Sequence, residues 1–484
     1  MRKKLYRIAA LLVAACVLTG CAGGAGKTGK VTDALNPEDF ESTETFITIV
    51  DCPPNALDEK GMNLYTEMGV NTYILTEDYT SMVGDDGLSD TYKESIETLG
   101  ELGLDVWIRN MWNDPDYFEL DQAKTGSNYG SPYTMNPRSI TTEFEEFSEV
   151  TGFYMADELF MYTKEDDPTT EDNESLHCAM DQMDKLIEWK NTYYPDAYWH
   201  INHVPSSSYD HWPSGDSYAT FIQHYIDTIL KKLTSGGRSL CFDNYPLAGD
   251  GKIRDSYILD VLTLANAARD YNATAEEGQK ADFGICLQTF MNTNPGFELR
   301  DITSAEDVTF QMYTGMAAGA KLFEYFCWRS YEGFNFYGIV DEAGEKRVYD
   351  YVKEANERAL PFEKVVLSFD WKGLTAKKGD MSGMDDTFGE VKDLLIEDTG
   401  SLTSISSRYD TIVGCFEKDG QDGYMVVNYT EPINDYTNAV TLKFEGCSQA
   451  LVYTEEGTEQ MNLTENGELR LILEAGQGAF VIPK

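Results

Sequence analysis

Between residue 46 and about residue 362 the chain alternates two kinds of apolar pattern. Short runs rich in β-branched and aromatic residues, at 46–51, 70–76, 104–109 and 151–156, read as strands. Runs at 197–202, 239–243, 281–288 and 320–328 continue the series. Between them lie stretches with apolar residues three and four positions apart, among them 57–68, 89–102, 175–193, 218–233 and 305–318, which read as amphipathic helices. Gly69, Gly103, Gly236-Gly237 and Gly319 mark helix ends ahead of the next strand. Eight strands, each followed by a helix, predict an α/β fold of the (β/α)8 TIM-barrel kind over 46–362. The competing reading is a doubly wound sheet. It would usually want fewer strands and a Gly-rich phosphate loop after the first, whereas the first strand here runs into Val50-Asp51-Cys52-Pro53-Pro54, which is no phosphate cradle.

After Pro361 the pattern changes to short strands at 409–417, 423–429, 439–444, 450–454, 469–473 and 479–482, separated by turns such as Asp419-Gly420-Gln421-Asp422-Gly423. They predict a C-terminal antiparallel β-sandwich, to which the ambiguous stretch 363–408 is assigned. The N-terminus differs again. Four cations, Arg2, Lys3, Lys4 and Arg7, precede an apolar run at 8–18 that is too short to span a bilayer and has the length of a signal-peptide core. The run ends in Leu18-Thr19-Gly20-Cys21, which resembles the bacterial lipobox. The resemblance implies cleavage after residue 20, acyl chains on Cys21 and an exported protein anchored to the cell membrane and facing outward. Residues 21–45 then form a tether, Gly-rich and small at its start.

Composition narrows the function classes. Losing the four signal-peptide cations takes the formal net charge from −45 to about −49. Such a chain repels nucleic acid and anionic lipid, so neither is an expected partner, and the membrane is met only through the anchor. Apolar content of 42% is enough to bury a core. Apart from Cys16 and Cys21, seven cysteines are scattered without a Cys-x-x-Cys pair, which argues against both a disulfide framework and a zinc site. His200 and His203, three apart on an apparent strand end, would face opposite ways. No metal and no cofactor is implied.

Barrel enzymes carry their chemistry at the C-terminal strand ends. Here those ends offer Asp51; Glu77 and Asp78; Arg109, Asn110 and Trp112; Asp157 and Glu158; Asn202 and His203; Asp243, Asn244 and Tyr245; Gln288; and Trp328 with Arg329. Carboxylates can act as acid, base or nucleophile, amides grip hydroxyls, and Trp or Tyr stacks on sugar rings. The set suits a carbohydrate.

Gly152-Phe153-Tyr154-Met155-Ala156-Asp157-Glu158 resembles the fourth-strand motif of clan A glycoside hydrolases, in which the Glu is the general acid/base. Phe242-Asp243-Asn244-Tyr245-Pro246 resembles the sixth strand of the β-galactosidase-like branch, and the run from Gly319 to Trp328 its eighth, where a Trp floors the sugar site. Gly476 to Pro483 is similar to the last strand of an accessory β-domain. The resemblance implies hydrolysis of an O-glycosidic bond. It assigns Glu158 as general acid/base and Trp328 to the floor of the sugar site, while the strand-end positions make Asp157, Asp51, Trp112, Asn202, His203, Tyr245 and Gln288 the other candidate substrate contacts.

One departure stands out. Where clan A places its nucleophilic Glu, at the end of strand seven, this chain has Gln288, and an amide can be neither nucleophile nor base. Asp243 is therefore the second catalytic candidate. Two strand spacings from Glu158 is roughly 10 Å, near the inverting separation of about 6.5–9.5 Å. Glu324 shares parity with Trp328 and reads either as a deep substitute or as a hydrogen-bonded core residue. Arg109 reads as a partner for a core carboxylate. The alternative function is a glycan-binding lipoprotein that cleaves nothing.

Overall fold

The computed structural model describes residues 35–76, 83–84, 87–109, 142–157, 174–208, 217–292, 298–329, 336–382 and 386–484. Eight parallel strands form one sheet: β1 (Ile47–Val50), β2 (Thr72–Thr76), β3 (Asp105–Arg109), β4 (Val150–Asp157), β5 (Tyr198–His203), β6 (Arg238–Phe242), β7 (Ala281–Gln288) and β8 (Leu322–Phe326). Their order is β1-β8-β7-β6-β5-β4-β3-β2, so the two sheet ends are the consecutive strands β1 and β2. Side chains stitch that seam. Asn71 Nδ2 donates to Phe46 O at 2.7 Å, Thr48 N donates to Asn71 Oδ1 at 3.0 Å, and Asn71 N donates to Thr48 Oγ1 at 3.0 Å. One amide thus supplies hydrogen bonds that a backbone ladder would otherwise make, and the barrel is nearly closed.

Helices α1 (Glu59–Glu67), α2 (Asp90–Glu101), α3 (Glu174–Tyr193), α4 (Tyr218–Thr228), α5 (Asp255–Asn272), α6 (Ala305–Ala317) and α7 (Tyr349–Ala359) follow the strands. Ser89 Oγ accepts from Tyr92 N and caps α2, and a Ser304/Asp307 capping box opens α6. Among the described residues no helix is long and apolar enough to cross a membrane.

The barrel interior holds Ile49, Ile74, Trp107, Tyr154, Cys241 and Leu322 in one buried cluster. Gly152 makes room for it, since a Cβ there would lie 2.5 Å from Trp107 Nε1. In β4 the register with β5 slips between Tyr154, opposite His200, and Ala156, opposite Ile201. Met155 is the extra residue of this bulge. The slip reverses the alternation, so that Asp157 turns inward beside Asn202.

The C-terminal strands are β9 (Asp370–Lys377), β10 (Leu402–Ser407), β11 (Thr411–Lys418), β12 (Gln421–Asn428), β13 (Asn438–Phe444), β14 (Gln449–Thr454), β15 (Gly457–Asn462), β16 (Glu468–Leu473) and β17 (Gly478–Pro483). Six make an antiparallel sheet in the order β9-β11-β12-β17-β14-β15, and three make the sheet β10-β13-β16. Val413, Tyr424, Val426, Val440, Leu442 and Leu471 pack between them as a sandwich core. The sequence pattern omits β9, β10 and β15. β15 is exposed along most of its length and β10 buries only its two ends, so neither carries the apolar alternation that marks a strand. The sandwich meets the barrel at α6. Arg300 pairs with Asp307 through Nη1 and Nη2, at 2.9 and 2.5 Å, and with Glu431 through Nε at 2.5 Å. At Gly319 (φ 78°) a Cβ would strike Trp371, whose Nε1 donates to Ala317 O at 2.9 Å.

Candidate functional site

The C-terminal end of the barrel interior is polar. Asp51 follows β1, Arg109 ends β3, Asp157 ends β4, and Asn202 is the penultimate residue of β5. Arg109 Nη1 donates to Asp51 Oδ1 at 2.6 Å and Arg109 Nη2 to Asp157 Oδ2 at 3.2 Å. Asn202 Nδ2 donates to Asp157 Oδ1 at 2.9 Å. The guanidinium lies 4.2 Å from the centre of the Tyr154 ring. Its planar fork is what lets one cation serve two carboxylates from different strands. The Asp51 side chain is 8% exposed, whereas that of Asp157, at 19%, reaches solvent at the rim.

Beneath this rim sits a second polar layer. Tyr154 Oη donates to Glu324 Oε1 at 3.0 Å. His200 Nε2 lies 3.2 Å from Glu324 Oε2, and His200 Nδ1 lies 2.8 Å from Ser239 Oγ. Burial pushes the Glu324 carboxyl up to about 8, with the Asp51 charge adding to it and Arg109 opposing. Burial lowers His200 to about 3. The contact between them therefore joins two neutral groups at pH 7. Glu324 is the hydrogen-bonded core residue of the two readings open in the sequence.

Asp157 is raised to about 6, first by burial, with Asp51 and Glu324 adding to it, while Arg109 and the Asn202 bond pull the other way. The guanidinium and the Asn202 amide do not offset the desolvation of Asp157. The sign of the consequence is fixed. Unfolded, the group titrates near 3.8; folded, it keeps its proton to about 6. Its contribution to stability is complete below the lower value and is lost as pH rises through the upper one. We expect Asp157→Asn to flatten the fall in unfolding free energy between about pH 4 and 6, by at most roughly 3 kcal/mol. Denaturant titrations at each pH read this directly, and an unchanged slope would refute it.

The remaining candidates fall into different places. Asp243 follows β6 and is half-buried, and its charge adds to the burial that raises the thiols of Cys241 and Cys286. Tyr245, also half-buried, has its Oη 4.0 Å from Cys286 Sγ and its ring stacked on Phe326. Three assignments change. His203 points away from the interior: its ring packs edge-on against Phe221 and Tyr225 of α4, as the alternation from inward-facing His200 and Asn202 requires. Gln288 is fully buried, accepts from Leu247 N at 3.3 Å and donates to Arg300 O at 2.8 Å, so its amide clamps two loops and is not open to substrate. Trp328 is 2% exposed and packs against Tyr65 of α1 and Tyr349 of α7, because β8 ends at Phe326 and strand parity no longer governs the chain beyond it. Glu158, Trp112 and Cys21 lie outside the described residues.

Tyr154, His200 and Cys241 were not among the expected site residues. They were legible in principle, as inward-facing residues one layer below the strand ends.

No family model matches the sequence, and no curated protein matches it. Among solved structures, a protein described as a glycoside hydrolase is similar with a TM-score of 0.50 at 12% identity, covering 91% of this chain and 92% of that one. A glycoside hydrolase family 5 protein from Bacteroides vulgatus aligns with a TM-score of 0.49 at 12% identity, over 91% and 89%. The β-galactosidase from the psychrophilic Marinomonas ef1 aligns with a TM-score of 0.45 at 12% identity, over 69% of this chain, which spans 63% of that enzyme. At such identity the likeness is one of fold, and the fold of this chain is a glycoside hydrolase-like (β/α)8 barrel with an appended β-sandwich.

Proposed function

We propose that this chain hydrolyses O-glycosidic bonds of an oligosaccharide or polysaccharide fragment. Glu158 is the general acid, and Asp243 activates the attacking water, so the anomeric configuration inverts. The observation that supports this most is the β4 terminus. Arg109 and Asn202 fix Asp157 facing the interior, immediately before Glu158, at the rim where a barrel of this fold presents its chemistry. Asp243 follows β6, two strands away, and its charge is felt by the buried thiol of Cys241. In the reaction Glu158 gives its proton to the leaving glycosidic oxygen, while water, deprotonated by Asp243, adds its oxygen to the anomeric carbon. The test is a screen of oligosaccharides and aryl glycosides, followed by the anomeric configuration of the first product. Inversion supports the pair; retention would require a nucleophile that Asp243 is not.

A second reading is favoured by Gln288. The end of β7 offers an amide already occupied by main-chain partners, which suits a barrel that holds a glycan without cleaving it. Saturable oligosaccharide binding with no product would select it.

We further propose that residues 1–20 are a signal peptide and that 21–45 tether the barrel to lipid on Cys21, on the outer side of the cell membrane. Cys21→Ala is expected to move the protein from the membrane fraction to the soluble fraction or to block its processing. Fractionation and immunoblotting check this, and a processed variant still in the membrane would contradict it.

A further inference from the structure

We infer that the barrel interior, one layer below the rim, is a binding site for a divalent transition metal, with His200, Cys241 and Glu324 as ligands and zinc as the ion that fits them. The inference does not depend on glycoside hydrolysis.

The three side chains come from β5, β6 and β8 and converge on one point. Glu324 Oε2 lies 3.2 Å from His200 Nε2 and 3.9 Å from Cys241 Sγ, and all three donor atoms fall within 4.8 Å of one another. A tetrahedral zinc with bonds of about 2.0–2.3 Å separates its donor atoms by about 3.3–3.7 Å. The set therefore needs only small side-chain movements to close on an ion. All three residues are buried and stand on strands, so the donors are held by the sheet.

The surroundings complete the arrangement. Ser239 Oγ, 2.8 Å from His200 Nδ1, can accept a hydrogen bond from Nδ1–H and leave the Nε2 lone pair turned toward the carboxylate. Tyr154 Oη donates to Oε1 of Glu324, leaving Oε2 as the coordinating oxygen. Cys286 is the register partner of Glu324 on β7 and brings a second thiol to this layer.

The chemistry selects the class of ion. Thiolate and imidazole favour zinc and its neighbours over magnesium or calcium, which take oxygen ligands. Binding replaces two protons, one from the Cys241 thiol and one from the Glu324 carboxyl, both released to solvent. The product, a dication with one thiolate, one carboxylate and one neutral imidazole, carries no net charge, as a site enclosed by Ile49, Ile74, Trp107 and Leu322 demands.

The test uses the untagged full chain, dialysed against a chelator and titrated with Co²⁺ or Zn²⁺ alone. Wild type is expected to bind one equivalent of Co²⁺ with a thiolate-to-cobalt charge-transfer band, and Zn²⁺ is expected to raise its melting temperature. Cys241→Ser should lose the band, His200→Gln should weaken binding by at least about tenfold, and Cys447→Ser, at the half-buried thiol of the sandwich, should leave both unchanged. If Cys241→Ser does not fold, X-ray absorption of the zinc-loaded wild type decides, with a sulfur in the ligand shell expected. No band and no thermal shift in wild type, a band unchanged in Cys241→Ser, or a shell without sulfur would each overturn the assignment.

Discussion

Arg109→Met is expected to cost about 3–5 kcal/mol of unfolding free energy, the range for breaking one side of a buried ion pair. Arg109 is 4% exposed and is the cation shared by Asp51, at 2.6 Å, and Asp157, at 3.2 Å. Removing it leaves two carboxylates from different strands facing each other across the barrel interior without a counter-charge. Part of the cost is escaped by protonation. Asp157 already holds its proton to about 6, and without the guanidinium it would hold it higher still. The defect should therefore deepen as pH rises above neutrality and shrink in mild acid. Arg109→Lys should recover only part of it, because a single ammonium cannot span both carboxylates as the planar fork does. Pairing Arg109→Met with Asp51→Asn should restore more stability than Arg109→Lys does, since it removes one of the orphaned charges. Chemical denaturation of wild type, Arg109→Met, Asp51→Asn and the double variant gives the coupling energy, and a loss below about 1 kcal/mol for Arg109→Met would place the pair in the class of exposed salt bridges.

The barrel strands were legible because strands under a layer of helices are buried on both faces and read as near-continuous apolar runs, as Ile47–Val50 and Thr72–Tyr73-Ile74-Leu75 do. The edge strand Gly457–Asn462 buries almost nothing and left no such trace. Strand ends were the right places to look for polar groups, but direction was harder. Alternation alone puts Ala156 on the inward face of β4 with Tyr154, and Asp157 on the outward one. The bulge at Met155 turns Asp157 inward, and nothing in a run such as Tyr154-Met155-Ala156-Asp157 announces an extra residue. Alternation did carry the information for His203, whose outward direction follows from that of His200 and Asn202. For Trp328 it failed, because the strand ended two residues earlier than the apolar run suggested. Arg109 shows the converse: its pairing with a core carboxylate was expected from a charge buried at a strand end, while the second carboxylate required the fold.

Glu158→Gln is expected to reduce turnover by about 10²–10⁴, the usual contribution of a positioned general acid. The amide keeps the shape of the side chain and removes the proton it would deliver. The effect should depend on the leaving group: an aryl glycoside with an acidic phenol departs without help, so it should be spared relative to an alkyl or sugar leaving group. Asp243→Asn should slow both classes alike, because both need the activated water. Stability should change little in Glu158→Gln, in contrast to Arg109→Met, which separates a chemical role from a structural one. The most direct test of glycoside hydrolysis is the rate of reducing-sugar release from an oligosaccharide by wild type and Glu158→Gln, with folding of both verified by melting temperature. Release by wild type and a loss of about a hundredfold or more in the variant is the expected result. Release by both at equal rates, or by neither under conditions where wild type binds the sugar, would contradict it.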